Sequence, residues 1–253
     1  MIQLLVMAKA PVPGRVKTRL CPPCTPAEAA AIAAAALADT LDAAKNLSAV
    51  RRVLVLDGDH PAPSGWARVA QRGDGLGERL AKAFADTALP AVPSLLIGMD
   101  TPQLTAELLE TAAAALCRDG AVLGPADDGG WWALGLSDPA DAAVLPGVPM
   151  STARTGERTV AALGRRGVRP TLLPRLRDVD TAADAIAVAS ICGAGNRFPA
   201  IVTETARRFP AAVAESIGPL SPRAGATAAG VTVVGATAAS STTARAAAAG
   251  GRA

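Results

Sequence analysis

Aromatic residues are scarce in this sequence: they make up 2% of its 253 residues, and tyrosine is absent. The core must therefore come from Leu, Val, Ile and Ala, and few rings are left to stack nucleic-acid bases. The net charge of +3 is small and the arginines are scattered, so no nucleic acid partner is expected. Long apolar runs are missing as well. No segment approaches the roughly 20 apolar residues that span a bilayer. The opening apolar run, residues 2–7, is short and followed by Lys9 and Arg15, the reverse of the charge order in a secretory leader. A cytoplasmic protein without a membrane span is the default expectation. Histidine occurs once, at His60, and cysteine four times. Cys21 and Cys24 form a CxxC, a spacing used for redox chemistry or half a zinc site. Cys117 and Cys192 stand alone, however, and Pro22 and Pro23 fill the interval. The four are read as loop and core thiols, with no helix before Pro26.

What is present suits a folded enzyme-sized chain. Half the residues are hydrophobic, 19% are charged and the mean hydropathy is +0.30, enough for a full core in one or two domains. Short β-rich runs predict strands over residues 2–7, 53–56, 66–71, 94–98, 121–124, 131–136 and 169–173. Between them, Ala- and Leu-rich stretches predict helices from Pro26 to about Lys45, over 76–87, from a Thr105 cap to about Cys117, and over 155–166 and 182–191. Thr25, with Pro26 next and Glu28 three residues on, is a helix-start signature. Strands alternating with helices predict an α/β fold: a single doubly wound, mainly parallel sheet covered on both faces. Ligands then bind at the carboxyl ends of its strands. The main domain is expected over 1–198, and 199–217 could form a terminal helix. Residues 218–253, rich in Ala, Gly, Ser and Thr, are expected to be a disordered tail.

Three strand ends, and a fourth element before a helix, carry polar residues unsuited to a core. Lys9-Ala-Pro-Val-Pro13-Gly14-Arg15-Val-Lys17-Thr-Arg19 follows the first strand. Its glycine, prolines and four basic residues suit a phosphate cradle, or simply a solvated basic loop. It is not a Walker A loop, because two residues separate Gly14 from Lys17-Thr18. Asp100, at the end of the fourth strand and before Pro102, suits a contact to Mg²⁺ held by substrate phosphates, or opens a turn. Asp127-Asp128-Gly129-Gly130 precedes Trp131-Trp132; two carboxylates, two glycines that let a ligand approach, and two indoles fit a binding loop, or a plain hairpin turn. Asp178-Val-Asp180-Thr181 could add a carboxylate to the same metal, or cap a helix.

Taken together and in this order, these segments resemble the GT-A, or nucleotide-diphospho-sugar transferase, superfamily. They are most similar to its bacterial glycosyltransferase-like family associated with arsenosugar biosynthesis, which is related to the phospholactate guanylyltransferases. The resemblance covers residues 2–198 and includes Gln71-Arg-Gly73, Leu76-Gly-Glu-Arg79 and Leu173-Pro-Arg-Leu-Arg-Asp-Val-Asp-Thr181. It implies that Lys9, Pro13, Gly14, Arg15, Lys17 and Arg19 hold donor phosphates, and that Gln71, Gly73 and Arg79 face the nucleotide. Asp100, Asp128 and Asp180 would hold Mg²⁺ or Mn²⁺; Lys17, Arg19 and Asp100 would be catalytic. Asp127, Gly129, Gly130 and Trp131 would stand on the acceptor side, where Asp127 and the Trp pair depart from the usual pattern.

Two reactions suit such a site. A nucleoside triphosphate could pass its nucleotidyl group to a small-molecule acceptor with loss of pyrophosphate, or a nucleotide sugar could pass on its sugar. Four basic residues favour the more anionic triphosphate, as does the lack of a second carboxylate two residues from Asp100, whereas the family likeness favours glycosyl transfer. A non-catalytic nucleotide-binding protein is the third alternative.

Overall fold

The computed structural model describes residues 1–209. Seven strands form one sheet in the order β3-β2-β1-β4-β6-β5-β7. These are β1 (Ile2–Lys9), β2 (Ala49–Asp57), β3 (Ala67–Ala70), β4 (Ser94–Gly98), β5 (Ala121–Pro125), β6 (Trp131–Leu136) and β7 (Thr171–Leu172). β1 lies parallel to both β2 and β4, and β3 is parallel to β2. β6 runs antiparallel between β4 and β5, while β7 is parallel to β5. The mainly parallel sheet predicted from the sequence is therefore present, with one reversed strand supplied by the short Asp127–Gly130 turn.

Among the described residues six α-helices accompany it: α1 (Pro26–Ala44), α2 (Leu76–Thr87), α3 (Ala106–Asp119), α4 (Thr155–Gly164), α5 (Ala182–Ala189) and α6 (Arg197–Ala206). Thr25 and Glu28 form the expected capping box on α1, and Thr105 caps α3. Alternation along β1 explains why both sheet faces are covered. Leu4 and Val6 join a cluster with Leu37 of α1 and Leu109 and Leu116 of α3. Leu5 and Met7 face the other way, toward Leu80 and Phe84 of α2. A third cluster joins Ile32 of α1 to Val188 of α5 and Phe198 and Val202 of α6.

The differences from the sequence reading have local causes. A 3-10 turn forms over Thr18–Leu20, ahead of Pro26, because Leu20 is drawn into the third cluster. A further 3-10 segment, Pro139–Gly147, had no helical period to announce it; it buries Ala142 and Leu145. β2 starts four residues early, since the Arg52 guanidinium folds back onto the carbonyls of Ala44 and Leu47 and its backbone can join the sheet. β7 shrinks to two residues at an exposed edge. A helix, α6, runs over Arg197–Ala206. Its buried anchor is Asp39, whose carboxylate accepts the Arg197 and Phe198 amides at 2.9 and 2.8 Å. Residues 210–217 of the expected helix and the 218–253 tail lie outside the described residues.

Strand order reverses direction at β1, with β2 on one side and the later β4 on the other. The carboxyl ends of β1 and β4 thus open a crevice at the topological switch point. Lys9 ends β1, and Asp100 follows two residues after β4.

Candidate active site

Two adjoining cavities occupy that crevice. The larger, about 500 Å³, is lined by the ends of β1 and β2 and by the basic loop. Lys9, Arg15, Lys17, Arg19 and Arg79 contribute five cations to it, against Asp57, Asp100 and Asp180. Asp57 binds the Arg79 guanidinium at 3.1 Å and lies 3.9 Å from the Lys9 ammonium, so it fixes both. The smaller cavity, about 280 Å³, is lined by Asp128, Asp178, Thr101, Trp131 and Met150 among others. Arg19, Leu76, Asp100, Ser151 and Asp180 border both.

Lys17 holds the junction. Its ammonium lies 2.7 Å from Asp100 and 3.3 Å from Asp180, and its side chain is 9% exposed. Burial alone would lower its pKa, but the two carboxylates more than offset that and hold it above the ordinary lysine value. Lys17 reaches this place with a left-handed backbone, φ +48°, and Ser151 across the cleft has φ +56°. Non-glycine residues in this region are costly and cluster where function requires a fixed geometry. Arg19, more exposed, binds the other oxygen of Asp180 at 3.0 Å.

Asp128, Asp178 and Asp180 each turn one carboxylate oxygen into a common space, all three oxygens within 4.8 Å of one another. Burial, and then the charge of Asp128, push the Asp178 carboxyl up to about 6. Such a group of hard oxygen donors without His or Cys suits Mg²⁺ or Mn²⁺, and the mutual repulsion of the carboxylates is what a divalent cation would relieve. Asp100 is outside this group of three and is matched to Lys17.

The remaining sequence candidates divide between lining and support. Gln71 lines the larger cavity, but its amide donates to the Ala8 and Val55 carbonyls at 2.7 and 3.1 Å, tying β1 to β2. Gly73, at φ +127°, offers its carbonyl to Arg79 Nε at 3.2 Å and so positions that guanidinium. Pro13 is exposed and Gly14 takes φ +74°; they shape the basic loop without lining the cavity. Gly130 and Trp131 line the smaller cavity. Asp127 and Gly129 instead line a separate groove behind the turn, where Asp127 meets Arg177 at 3.4 Å. The paired glycines serve packing: a Cβ on Gly129 would lie 2.0 Å from the Ala153 carbonyl oxygen. Of the two indoles, Trp132 is 3% exposed and belongs to the core, where its Nε1 donates to the Pro174 carbonyl.

Three residues of the site, Asp57, Met150 and Ser151, went unread in the sequence, and a fourth, Asp178, was read without a definite role. Asp57 had a signal, being a carboxylate at the end of β2. Asp178 was weighed only as a helix cap or an added carboxylate. Met150 and Ser151 lie in an irregular segment with no pattern to mark them. Of the CxxC pair, Cys24 is buried, its thiol pushed up to about 11 by burial, and all four cysteines are free.

The class defined by this sheet and its switch-point cleft is the nucleotide-diphospho-sugar transferase fold. A solved structure from Desulfovibrio desulfuricans G20, provisionally named a nucleotide-diphospho-sugar transferase, is similar with a TM-score of 0.71 and 28% identity over 82% of this chain and 96% of that one. Rv0371c of Mycobacterium tuberculosis H37Rv, solved with manganese, is 22% identical over 74% of this chain and 96% of that one, with a TM-score of 0.48. The 2-C-methyl-D-erythritol 4-phosphate cytidylyltransferase of Thermus thermophilus is 16% identical over 68% of this chain and 88% of that one, with a TM-score of 0.43. A family model described as an uncharacterized protein conserved in bacteria (DUF2064) matches residues 29–152. No curated protein matches the sequence. No described helix is long and apolar enough to cross a membrane.

Proposed function

We propose that this chain is a metal-dependent transferase that takes a nucleotide-activated donor, and that it transfers a nucleotidyl group from a nucleoside triphosphate. The observation that carries this is the joining of a five-cation cleft to a carboxylate trio across the Lys17–Asp100–Asp180 junction. Donor phosphates lie among Lys9, Arg15, Lys17, Arg19 and Arg79, with Asp57 holding two of these cations in place. Asp128, Asp178 and Asp180 hold Mg²⁺ or Mn²⁺. When bound there, the cation supplies charge neutralisation at the phosphate oxygens. Lys17, which lines the larger cavity, and Arg19, which borders both, stabilise the negative charge that develops on the departing group. Asp100 keeps Lys17 charged and pointed at that border. No protein nucleophile is needed.

Glycosyl transfer from a nucleotide sugar is the second reading, favoured by the name given to the Desulfovibrio relative. Five cations suit the larger charge of a triphosphate, which tips the balance toward nucleotidyl transfer. A thermal-shift panel of nucleoside triphosphates and nucleotide sugars, with and without Mg²⁺, separates the two through binding linkage. Stabilisation by triphosphates that depends on Mg²⁺ supports the proposal. Selective stabilisation by nucleotide sugars favours the second reading, and no shift with either overturns both. Binding without release of pyrophosphate or nucleoside diphosphate across an acceptor panel would mark a nucleotide-binding protein instead.

A further inference from the structure

We propose that the smaller cavity admits an uncharged, hydroxyl-bearing acceptor such as a sugar or polyol, and discriminates against phosphorylated acceptors. This deepens the reading above and rests on it, since the larger cavity must hold the donor.

The two cavities differ sharply in charge. Four carboxylates line the smaller one, those of Asp100, Asp128, Asp178 and Asp180, with Arg19 as its single cation. Arg19 is already bound to Asp180 at 3.0 Å. A divalent cation on the carboxylate trio would cancel only part of this charge and leave no positive excess. A phosphate monoester would enter with about two further negative charges and meet only this one paired cation, whereas the larger cavity sets five cations against three carboxylates. Like charges gathered in one cavity repel.

The rest of the lining suits hydroxyls on an apolar frame. Trp131 is half-buried, and its Nε1 is anchored to Thr159 Oγ1 at 3.2 Å, so the ring stands as a fixed wall. Met150 and Leu76 add apolar surface. Thr101, 1% exposed, also lines this cavity, and its buried hydroxyl has no hydrogen-bond partner. An unpaired buried hydroxyl is costly, and an acceptor hydroxyl can both give to it and take from it. Aromatic and methionine surface against C–H groups, with a few convergent polar groups, is the usual make-up of a small-molecule site.

The step balances. The acceptor hydroxyl oxygen bonds to the α-phosphorus of the nucleoside triphosphate as that phosphorus loses its bond to the bridging oxygen. Pyrophosphate leaves with the electron pair, and the hydroxyl proton passes to water.

The test uses the full chain with Mg²⁺, nucleoside triphosphates and nucleotide sugars, and matched acceptors: glycerol and glycerol 3-phosphate, ribose and ribose 5-phosphate, glucose and glucose 6-phosphate. Pyrophosphate and nucleoside diphosphate release are both read. At least one unphosphorylated member should turn over ten-fold or more faster than its phosphorylated counterpart. Trp131→Ala should raise the acceptor KM about ten-fold with the nucleotide KM unchanged, and Trp131→Phe should retain most of the acceptor affinity. Equal or better use of the phosphorylated members overturns the proposal. So does a panel with no turnover in a protein that still shows Mg²⁺-dependent nucleotide shifts, and in that case the donor assignment stands. Absence of the nucleotide shift brings down the donor assignment and this proposal with it.

Discussion

Replacing Lys17 by Met removes one charge and keeps the length of the side chain. In the native protein the ammonium attracts Asp100 at 2.7 Å and Asp180 at 3.3 Å. At an effective dielectric of about 20, each attraction is worth roughly 5 kcal/mol before desolvation. Breaking a fully buried pair costs about 3–5 kcal/mol. Here the two carboxylates are 43% and 32% exposed, so water recovers part of the loss, and about 2 kcal/mol remains. For a chain of this size that lowers the melting temperature by about 4–8 °C. Thermal melts of both proteins in chelator, at neutral pH where the lysine is charged, measure it. The freed carboxylates should then gain more from added Mg²⁺ than those of the native protein, because a cation can take the ammonium's place. An unchanged melting temperature in chelator, together with an equal Mg²⁺ response, would refute the bridging role of Lys17.

Three more outcomes follow from the same geometry. Gly129→Ala places a Cβ 2.0 Å from the Ala153 carbonyl oxygen at φ +86°; it should destabilise the protein by about 2–4 kcal/mol, as overpacking and left-handed strain combine, and a urea melt reads this directly. Asp39→Ala leaves the first two amides of α6 without their carboxylate; a loss of about 1–2 kcal/mol is expected, and a full-strength melt would show that α6 needs no such anchor. Mn²⁺ affinity should fall as pH drops through about 6, because protons compete for Asp178. The sign is fixed by its raised pKa: the metal-free protein favours the protonated form below that value, and only the ionised form binds metal. Mn²⁺ titrations at about pH 7.5 and about pH 5.5, on either side of that value, check it, and equal affinities would count against Asp178 as a ligand.

Much of the fold was legible because its signals are local. α2 and the strands β4 and β6 stand within the bounds the sequence predicted, and the Thr25 cap and Thr105 cap follow from residue type alone. Strand ends bearing Lys9, Asp100 and Asp128 were recognisable because a sheet buries its interior and leaves polar chemistry at its edges. What the sequence could not disclose depends on tertiary contacts. Nothing local says that Asp100 is matched to Lys17 while Asp178 joins Asp128 and Asp180; those pairings arise only when β4, the basic loop and the segment before α5 converge. The glycines of the Asp127–Gly130 turn looked like a ligand approach, yet Gly129 is required by the backbone of Ala153. Trp131 and Trp132 are neighbours in sequence and both border the smaller cavity, but strand alternation leaves Trp131 half-buried on one sheet face and sends Trp132 into the core on the other.

A nucleotide that binds here through a cation held by Asp128, Asp178 and Asp180 must lose affinity when either the cation or one of its ligands is removed. Calorimetric titration of a nucleoside triphosphate tests it in three settings: the native protein with Mg²⁺, the native protein in chelator, and Asp178→Asn with Mg²⁺. The predicted result is at least ten-fold weaker binding in the second and third than in the first. Equal affinity in all three would contradict it.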